Sequence, residues 1–369
     1  MPGKNPGGKK CTKHSGPLSK KQDLNSNEGA RPLPQTFVIE LTRGCNNNCG
    51  YCYNIWRAPQ FAHEHSHAGE MSTREVKDTI IKLQDETLVT TIALSGGEPL
   101  LRPDLPEIID FLRSRKIIVL LLTNGTLLTE EKVDATMRGT MYEVPLLSCH
   151  KEVHDRMVGH DGAWDAVTEG IMNIHTAGRH LSVVFVATRQ NHKDLRATAI
   201  LAMMLGADEL LYKRVNMGAA NRFANEGLFL TPAMIEENLS TLDKLAVKYR
   251  FPITADVVIE PCVIDVRKFN NVKFGWCPLA GENSAFVIDP SGNVRICEHS
   301  PIILGNIKKS RFRDIYNHPY VESFKTTWPE QCENCETELR NMCCGGCKAA
   351  AEQTYGSIKQ VDPFVRINR

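Results

Sequence analysis

The sequence predicts an α/β fold of parallel strands and covering helices, followed by a small cysteine-rich domain. Three observations predict it. Short, nearly continuous apolar runs recur between residues 37 and 212, as expected of parallel strands buried on both faces. Stretches with helical start signals lie between those runs. Beyond about residue 260 helical periodicity weakens, and most of the 13 cysteines fall there. A length of 369 residues allows about two domains. A hydrophobic share of 42% and a charged share of 24% are ordinary for a globular chain.

The elements follow in order. Residues 1 to about 35 are rich in Gly, Pro, Lys and Ser, carry a formal charge of +5, and read as a solvated, disordered basic tail. Phe37–Leu41, Thr91–Leu94, Ile117–Leu122, Glu143–Leu147, Ser182–Ala187 and Glu209–Tyr212 read as strands. One helix starts at the capping box Ser72-x-x-Glu75 and another at Thr129, with Glu130 and Glu131 in its first turn. A third spans Ala163–Ala177 and stops at Gly178; a fourth opens with Thr231 as N-cap and Pro232 behind it. Six strands alternating with helices imply right-handed βαβ units, as an open doubly wound sheet or a partial barrel. Either way, reactive loops gather at the C-terminal ends of the strands. The expected domains are 1–35 (tail), 36–255 (core) and 256–369 (cysteine-rich); no internal repeat is visible.

A net charge of +1 is no argument for a nucleic-acid partner, and none is expected. The N-terminus lacks the apolar core of a signal peptide, and the longest aliphatic run, Ile117–Leu122, is too short to span a bilayer. No membrane partner is expected, and a cytoplasmic location is. Thiols stay reduced there, so clustered cysteines read as metal ligands rather than disulfides.

Directly after the first strand stands "TRGCNNNCGYCYN", with Cys45, Cys49 and Cys52 in a C-x3-C-x2-C run. Gly44 and Gly50 are expected to let this loop fold tightly around a ligand. A structural zinc site wants four closed ligands. An iron–sulfur cube held by three cysteines instead keeps one iron open to something else. The second stretch, "LSGGEPL" at Leu94–Leu100, ends the second strand.

Together these two stretches resemble the signature of the radical S-adenosylmethionine (SAM) superfamily, with Tyr51 as the aromatic residue inside the cysteine loop. The resemblance implies a partial (β/α)6 barrel. It implies a 4Fe–4S cluster with an open iron on Cys45, Cys49 and Cys52, and SAM bound along Gly96, Gly97, Glu98 and Pro99. A reduced cluster would cleave SAM to a 5′-deoxyadenosyl radical, which takes a hydrogen atom from an unactivated carbon under anaerobic conditions. By weaker matches, Asn124 of "LTNG" faces SAM, Ser148 serves its ribose or carboxylate, and Arg156 serves its carboxylate. Cys149-His150 stands where many relatives have Leu-Asp, so His150 is a candidate substrate-side donor, with packing or capping as the alternative.

The remaining cysteines allow two readings. Taken alone, Cys332-x2-Cys335 with Cys344-x2-Cys347 resembles a zinc knuckle. Beside the first motif, Cys277, Gly292 and Cys297, then Cys332, Cys335, Cys343 and Cys347, resemble the SPASM extension of radical SAM enzymes, which carries one or two auxiliary iron–sulfur clusters. The resemblance puts Cys277, Cys297 and Cys347 on the first and Cys332, Cys335 and Cys343 on the second. Each set is one ligand short. Val365 replaces the usual last cysteine, which makes Asp362 a candidate oxygen ligand, or else a turn cap before Pro363. Cys262 or Cys344 is a candidate to complete the first set, unless that cluster stays open for substrate. Cys11 and Cys149 are expected to bind nothing, and the His63, His65 and His67 run reads as a solvated loop.

The function expected is that of a radical SAM oxidoreductase acting on a peptide or small molecule. Modification of a ribosomally made peptide ranks first, tetrapyrrole side-chain modification second, and formylglycine formation on sulfatases third. A non-enzymatic electron carrier or zinc-binding interaction protein is the alternative, and the Gly-Gly-Glu-Pro stretch speaks against it. The expected partners are an electron donor such as flavodoxin or ferredoxin and, as no folded leader-binding domain is evident, a separate leader-peptide-binding protein.

Overall fold

The computed structural model describes residues 33–57, 69–134, 139–216, 218, 227–277 and 285–367; the basic tail, Cys11 and the His63–His67 run lie outside them. Six strands pair in parallel in chain order: β1 (Thr36–Glu40), β2 (Thr91–Ser95), β3 (Ile118–Leu122), β4 (Thr140–Pro145), β5 (Leu181–Ala187) and β6 (Glu209–Arg214). Their crossovers carry α1 (Thr73–Glu86), α2 (Leu105–Ser114), α3 (Glu130–Val133), α4 (Lys151–Val158), α5 (Ala163–Thr176) and α6 (Leu195–Met204). This is the partial (β/α)6 barrel the sequence implies. The capping box is made: the Ser72 side chain accepts from the Glu75 N–H, and the Glu75 carboxylate accepts from the Ser72 N–H at 2.9 Å. Beyond β6, α7 (Pro232–Tyr249), capped by Thr231, leads to the short parallel strands β7 (Ile253–Ala255) and β8 (Lys273–Phe274).

Two strands differ from the apolar runs. β4 starts at Thr140 and ends at Pro145, because pairing with β3 and β5 fixes its limits and only alternate residues, Thr140, Tyr142 and Val144, point into the core. Glu143, between them, faces the other side. β6 continues through Lys213 and Arg214, two cations that an apolar criterion cuts off.

The cysteine-rich region is joined to the barrel through the sheet itself. β9 (Ala285–Ile288) pairs in parallel with β1 on its free edge, with Val38 opposite Val287. β10 (Asn293–Arg295) and β11 (Ile303–Asn306) continue it antiparallel, giving eleven strands among the described residues. Phe312 of α8 (Phe312–Tyr316) meets Phe37 of β1 and Phe286 of β9 edge-on, at 5.0 and 5.5 Å between ring centroids. All three rings are fully buried, each contributing about 1.5–3 kcal/mol. Four short helices follow: α9 (Pro319–Thr326), α10 (Arg340–Cys343), α11 (Lys348–Tyr355) and α12 (Pro363–Ile367). The described residues, from Leu33 onward, form a single unit. Among the described residues no helix is long and apolar enough to cross a membrane.

Candidate functional site

The Cys45–Cys52 loop leaves the C-terminal end of β1 and is held on three sides. The Asn48 N–H donates to Val158 O at 2.8 Å and the Gly50 N–H to Met157 O, both at the end of α4. The Asn46 side chain donates to Thr126 Oγ1 at 2.8 Å and accepts from Asn124 Nδ2 at 2.8 Å, beyond β3. On the third side the Gly97 N–H donates to Thr42 O at 2.7 Å and the Glu98 N–H to Gly44 O at 2.8 Å. The two sequence stretches that announced the site are therefore hydrogen-bonded to each other.

That approach explains the glycine pair. Gly96 sits at φ +136°, and a Cβ there would lie 2.5 Å from Thr42 O; at Gly97 it would lie 2.0 Å from Gly44 O. Gly44 and Gly50, by contrast, have ordinary room for a Cβ, so the tightness comes from the opposing turn. Gly97→Ala is expected to push the cysteine loop off its seat and remove the iron bound there. Gly50→Ala, with nothing within 4 Å of its Cβ, is expected to keep it. Iron counting on the two reconstituted variants checks this, and equal iron in both sinks the steric argument.

Glu98 is fully buried behind the turn. Its Oε1 accepts from the Leu100 N–H at 2.9 Å and Thr123 Oγ1 at 2.7 Å, and its Oε2 from the Asn124 N–H at 2.7 Å. Burial raises its pKa against these donors. Glu98 therefore locks the turns after β2 and β3 together, and Pro99 starts the 3-10 turn beneath it.

A cavity of about 190 Å³ opens over these turns. Cys45, Cys49 and Cys52 line it, with Tyr51, Gly96, Gly97 and Asn124. Burial, then the neighbouring Cys52, pushes the Cys49 thiol up to about 12. Three crowded thiols of this kind suit a strongly cationic centre. Trp56 Nε1 is buried in the same wall with no acceptor among the described residues. Ser148, His150 and Arg156 do not line this cavity. Ser148 Oγ donates to Asp194 Oδ2 at 2.6 Å and accepts from the His150 N–H at 2.9 Å, while the His150 ring and Arg156 are exposed.

Next to it lies a cavity of about 310 Å³ lined by Cys277, Cys297 and Cys347. Tyr51, Tyr53, Leu122, Val186 and Lys213 line both cavities, so the two adjoin along a common wall. Burial pushes the Cys347 thiol up to about 12, and His299 Nδ1, in the same lining, is buried without an acceptor or donor partner among the described residues. The Cys297 turn is shaped by Arg295, whose Nη1 donates to Glu298 O at 2.9 Å and whose Nη2 pairs with Glu40 Oε2 of β1 at 2.6 Å.

A third cavity, of about 430 Å³, is lined by Cys332, Cys335, Cys343, Cys262 and Val365. Asp362 is not part of it. Its Oδ2 accepts from Arg214 Nη2 at 2.9 Å and the Cys347 N–H at 2.8 Å, and its Oδ1 from the Phe364 N–H at 2.8 Å. Of the two roles the sequence allows Asp362, oxygen ligand or turn cap before Pro363, these contacts are those of an ion-paired turn cap. Cys344 donates to Asn341 O at 3.0 Å and lines none of the three cavities. Among the described residues no three His, Cys, Asp or Glu side chains converge on a single-ion position. Thiols spread around a cavity suit a multi-iron cluster, whose ligands bind separate irons, better than one tetrahedral zinc.

Sequence reading missed the charged residues of this region. Lys213 Nζ bridges Glu143 Oε2 at 3.3 Å and Asp256 Oδ2 at 3.0 Å. Tyr53 Oη donates to Glu298 Oε1 at 3.2 Å, with its ring 4.9 Å from that of His299. The available signal was the pair of cations that follows the apolar stretch Leu210–Tyr212 at the end of β6.

The comparisons agree with this geometry. A profile of the radical SAM superfamily matches residues 39–202, and one of the SPASM iron–sulfur cluster-binding domain matches residues 277–336. The chain is similar to AdoMet-dependent heme synthase of Methanosarcina barkeri (strain Fusaro / DSM 804), 28% identical over 90% of this chain and 96% of that protein. It is similar to PqqA peptide cyclase of Gluconobacter oxydans (strain 621H), 27% identical over 91% of each. The crystal structure of Streptococcus suis SuiB bound to precursor peptide SuiA shares the fold, with a TM-score of 0.69 at 14% identity over 90% of this chain and 76% of that one.

Proposed function

The chain belongs to the radical SAM superfamily and carries a C-terminal SPASM domain, and we propose that it modifies a side chain of a ribosomally made peptide held between its two inner cysteine sets. The observation that carries this is the shared wall of Tyr51, Tyr53, Leu122, Val186 and Lys213 between the two cavities. Cys45, Cys49 and Cys52 would hold the SAM-binding cluster, and Cys277, Cys297 and Cys347 the first auxiliary cluster. When bound, the first of these and SAM supply reductive cleavage to a 5′-deoxyadenosyl radical and hydrogen abstraction.

The chain's own residues supply position and shelter. The Gly96–Gly97 turn, Asn124 and the Trp56 N–H offer polar contacts for SAM beside the three thiols. Val38, Leu122, Val186 and Phe324 give the substrate cavity an apolar wall that keeps water from a reactive carbon. Lys213, Asp256 and the Tyr53–Glu298 pair offer fixed donors and acceptors for a peptide backbone. A cavity of about 310 Å³ is at the small end of ligand pockets and suits one side chain with its flanking backbone.

Similarity to a peptide cyclase supports this reading, and equal similarity to a heme synthase favours tetrapyrrole side-chain modification as the second. An external one-electron donor and a separate peptide-recognition protein complete the proposal. The test is anaerobic reconstitution with SAM and a reductant, followed by mass spectrometry. Precursor peptides encoded beside the gene are expected to raise 5′-deoxyadenosine formation and to lose hydrogen themselves. Stimulation only by an iron porphyrin bearing propionates moves the assignment to the second reading.

A further inference from the structure

We propose that Cys262 is the fourth thiolate of the second auxiliary cluster, alongside Cys332, Cys335 and Cys343. This rests on the reading that the C-terminal thiols hold iron–sulfur clusters. Cys262 belongs neither to the spaced run at Cys332–Cys347 nor to residues 277–336 that match the SPASM profile. It sits in the connection between β7 and β8, yet it lines the same cavity as the other three and contributes to none of the walls around Cys277, Cys297 and Cys347.

Three further observations converge on that cavity. The Cys262 turn is anchored by a buried residue: the Val263 and Ile264 N–H groups donate to Glu260 O at 2.9 and 3.1 Å. Cys343, in the same lining, is buried, and the Gly346 N–H donates to its carbonyl oxygen at 2.9 Å, turning the chain just beyond it. Arg340, in the same lining, stacks on Trp328 with its guanidinium carbon 4.5 Å from the ring centroid, and its Nε–H is buried with no acceptor among the described residues. A cation with an unmet donor beside four thiols fits an anionic cluster.

Two competing donors are accounted for, and a third, Glu260, lines the cavity with its Oε2 buried and unpartnered among the described residues. Asp362 spends both oxygens on Arg214, Cys347 N–H and Phe364 N–H. Val365, at the place of the usual last cysteine, lines the cavity but offers no donor atom. Ligation by Cys262 would tie the β7–β8 connection to the C-terminal segment through the cluster.

The experiment uses the full chain, reconstituted anaerobically, with Cys45, Cys49 and Cys52 replaced by alanine to remove the SAM-site signal. Adding Cys262→Ala is expected to remove about half of the remaining iron and one of two reduced-state EPR signals. Cys344→Ala is expected to change neither. Cys262→Ala with Val365→Cys is expected to regain the iron, since the new thiol enters the same cavity. As a measurement independent of any substitution, Cys262 is exposed, so alkylation mapped by mass spectrometry is expected to be fast in the apo-protein and blocked in the loaded one. Fast alkylation in the loaded protein, or full iron and unchanged spectra in Cys262→Ala, overturns the assignment while leaving the clusters standing. A triple-alanine chain that binds no iron overturns the assignment and the underlying reading together.

Discussion

Replacing Cys45, Cys49 and Cys52 together with alanine is expected to abolish 5′-deoxyadenosine formation while the chain keeps iron on its C-terminal thiols. The three side chains line one cavity, and among the described residues no other cysteine lines it. Removing them leaves no thiolate to hold a cluster there, and SAM loses the iron it must chelate. The loop backbone itself is expected to survive. It is fastened by Asn46, Asn48 and Gly50 to Thr126, Val158 and Met157, and by Thr42 and Gly44 to the Gly97–Glu98 turn, none of which uses a sulfur. The other two thiol-lined cavities are built on different segments and should load independently. Product analysis by mass spectrometry and iron counting on the same preparation check both halves. Undiminished 5′-deoxyadenosine sinks the assignment of the SAM cluster. Loss of all iron would instead sink the reading that the C-terminal thiols hold clusters of their own.

What could be read from the sequence was what local chemistry determines. The six strands were visible as apolar runs because both faces of a parallel sheet are covered, and the capping box at Ser72 and Glu75 needs only four residues. Cys45, Cys49 and Cys52 were legible by spacing, and the Gly-Gly turn by its place after a strand. The reason for the glycines was not legible, since the atoms that exclude a Cβ belong to Thr42 and Gly44, some 50 residues earlier. Long-range pairing also bears on what the sequence left open. Asp362 looked available as a ligand because nothing nearby in sequence claims it, whereas the claimant is Arg214 of β6. Cys262 looked like a spare for the first auxiliary set, and only the path of the chain after β7 carries it to the second cavity. The Lys213 bridge to Glu143 and Asp256 joins three segments and leaves no sequence pattern beyond cations at a strand's end.

Replacing Arg214 with methionine is expected to destabilise the protein by about 3–5 kcal/mol, because it leaves a buried carboxylate without its counter-charge. The Arg214 side chain is 2% exposed, and Glu260 and Asp362 are 1% each. Its Nη2 reaches Glu260 Oε1 at 3.0 Å and Asp362 Oδ2 at 2.9 Å, its Nε donates to Val258 O at 3.0 Å, and its carbon centre lies 4.6 Å from the Phe364 ring centroid. The group therefore joins β6, the exit of β7 and the start of α12. Burial and the adjacent Asp362 push Glu260 well above the usual carboxylate range. Burial opposes the charge on Asp362, but Arg214 and the hydrogen bonds around it hold its pKa below the usual value. The triad thus balances as the Arg214 cation, the Asp362 anion and a Glu260 carboxyl biased towards its neutral form. Methionine keeps the volume and the contact with Phe364 but removes the cation, so the anion pays the full desolvation cost. Arg214→Met with Asp362→Asn is expected to recover much of the loss, since replacing a buried pair by neutral groups of similar size is often near neutral. Thermal midpoints of the two single variants and the double variant, compared as a cycle, decide it. If the double variant is as unstable as the sum of the singles, the ion pair carries no coupling, and the stability at Arg214 comes from its packing and its bond to Val258.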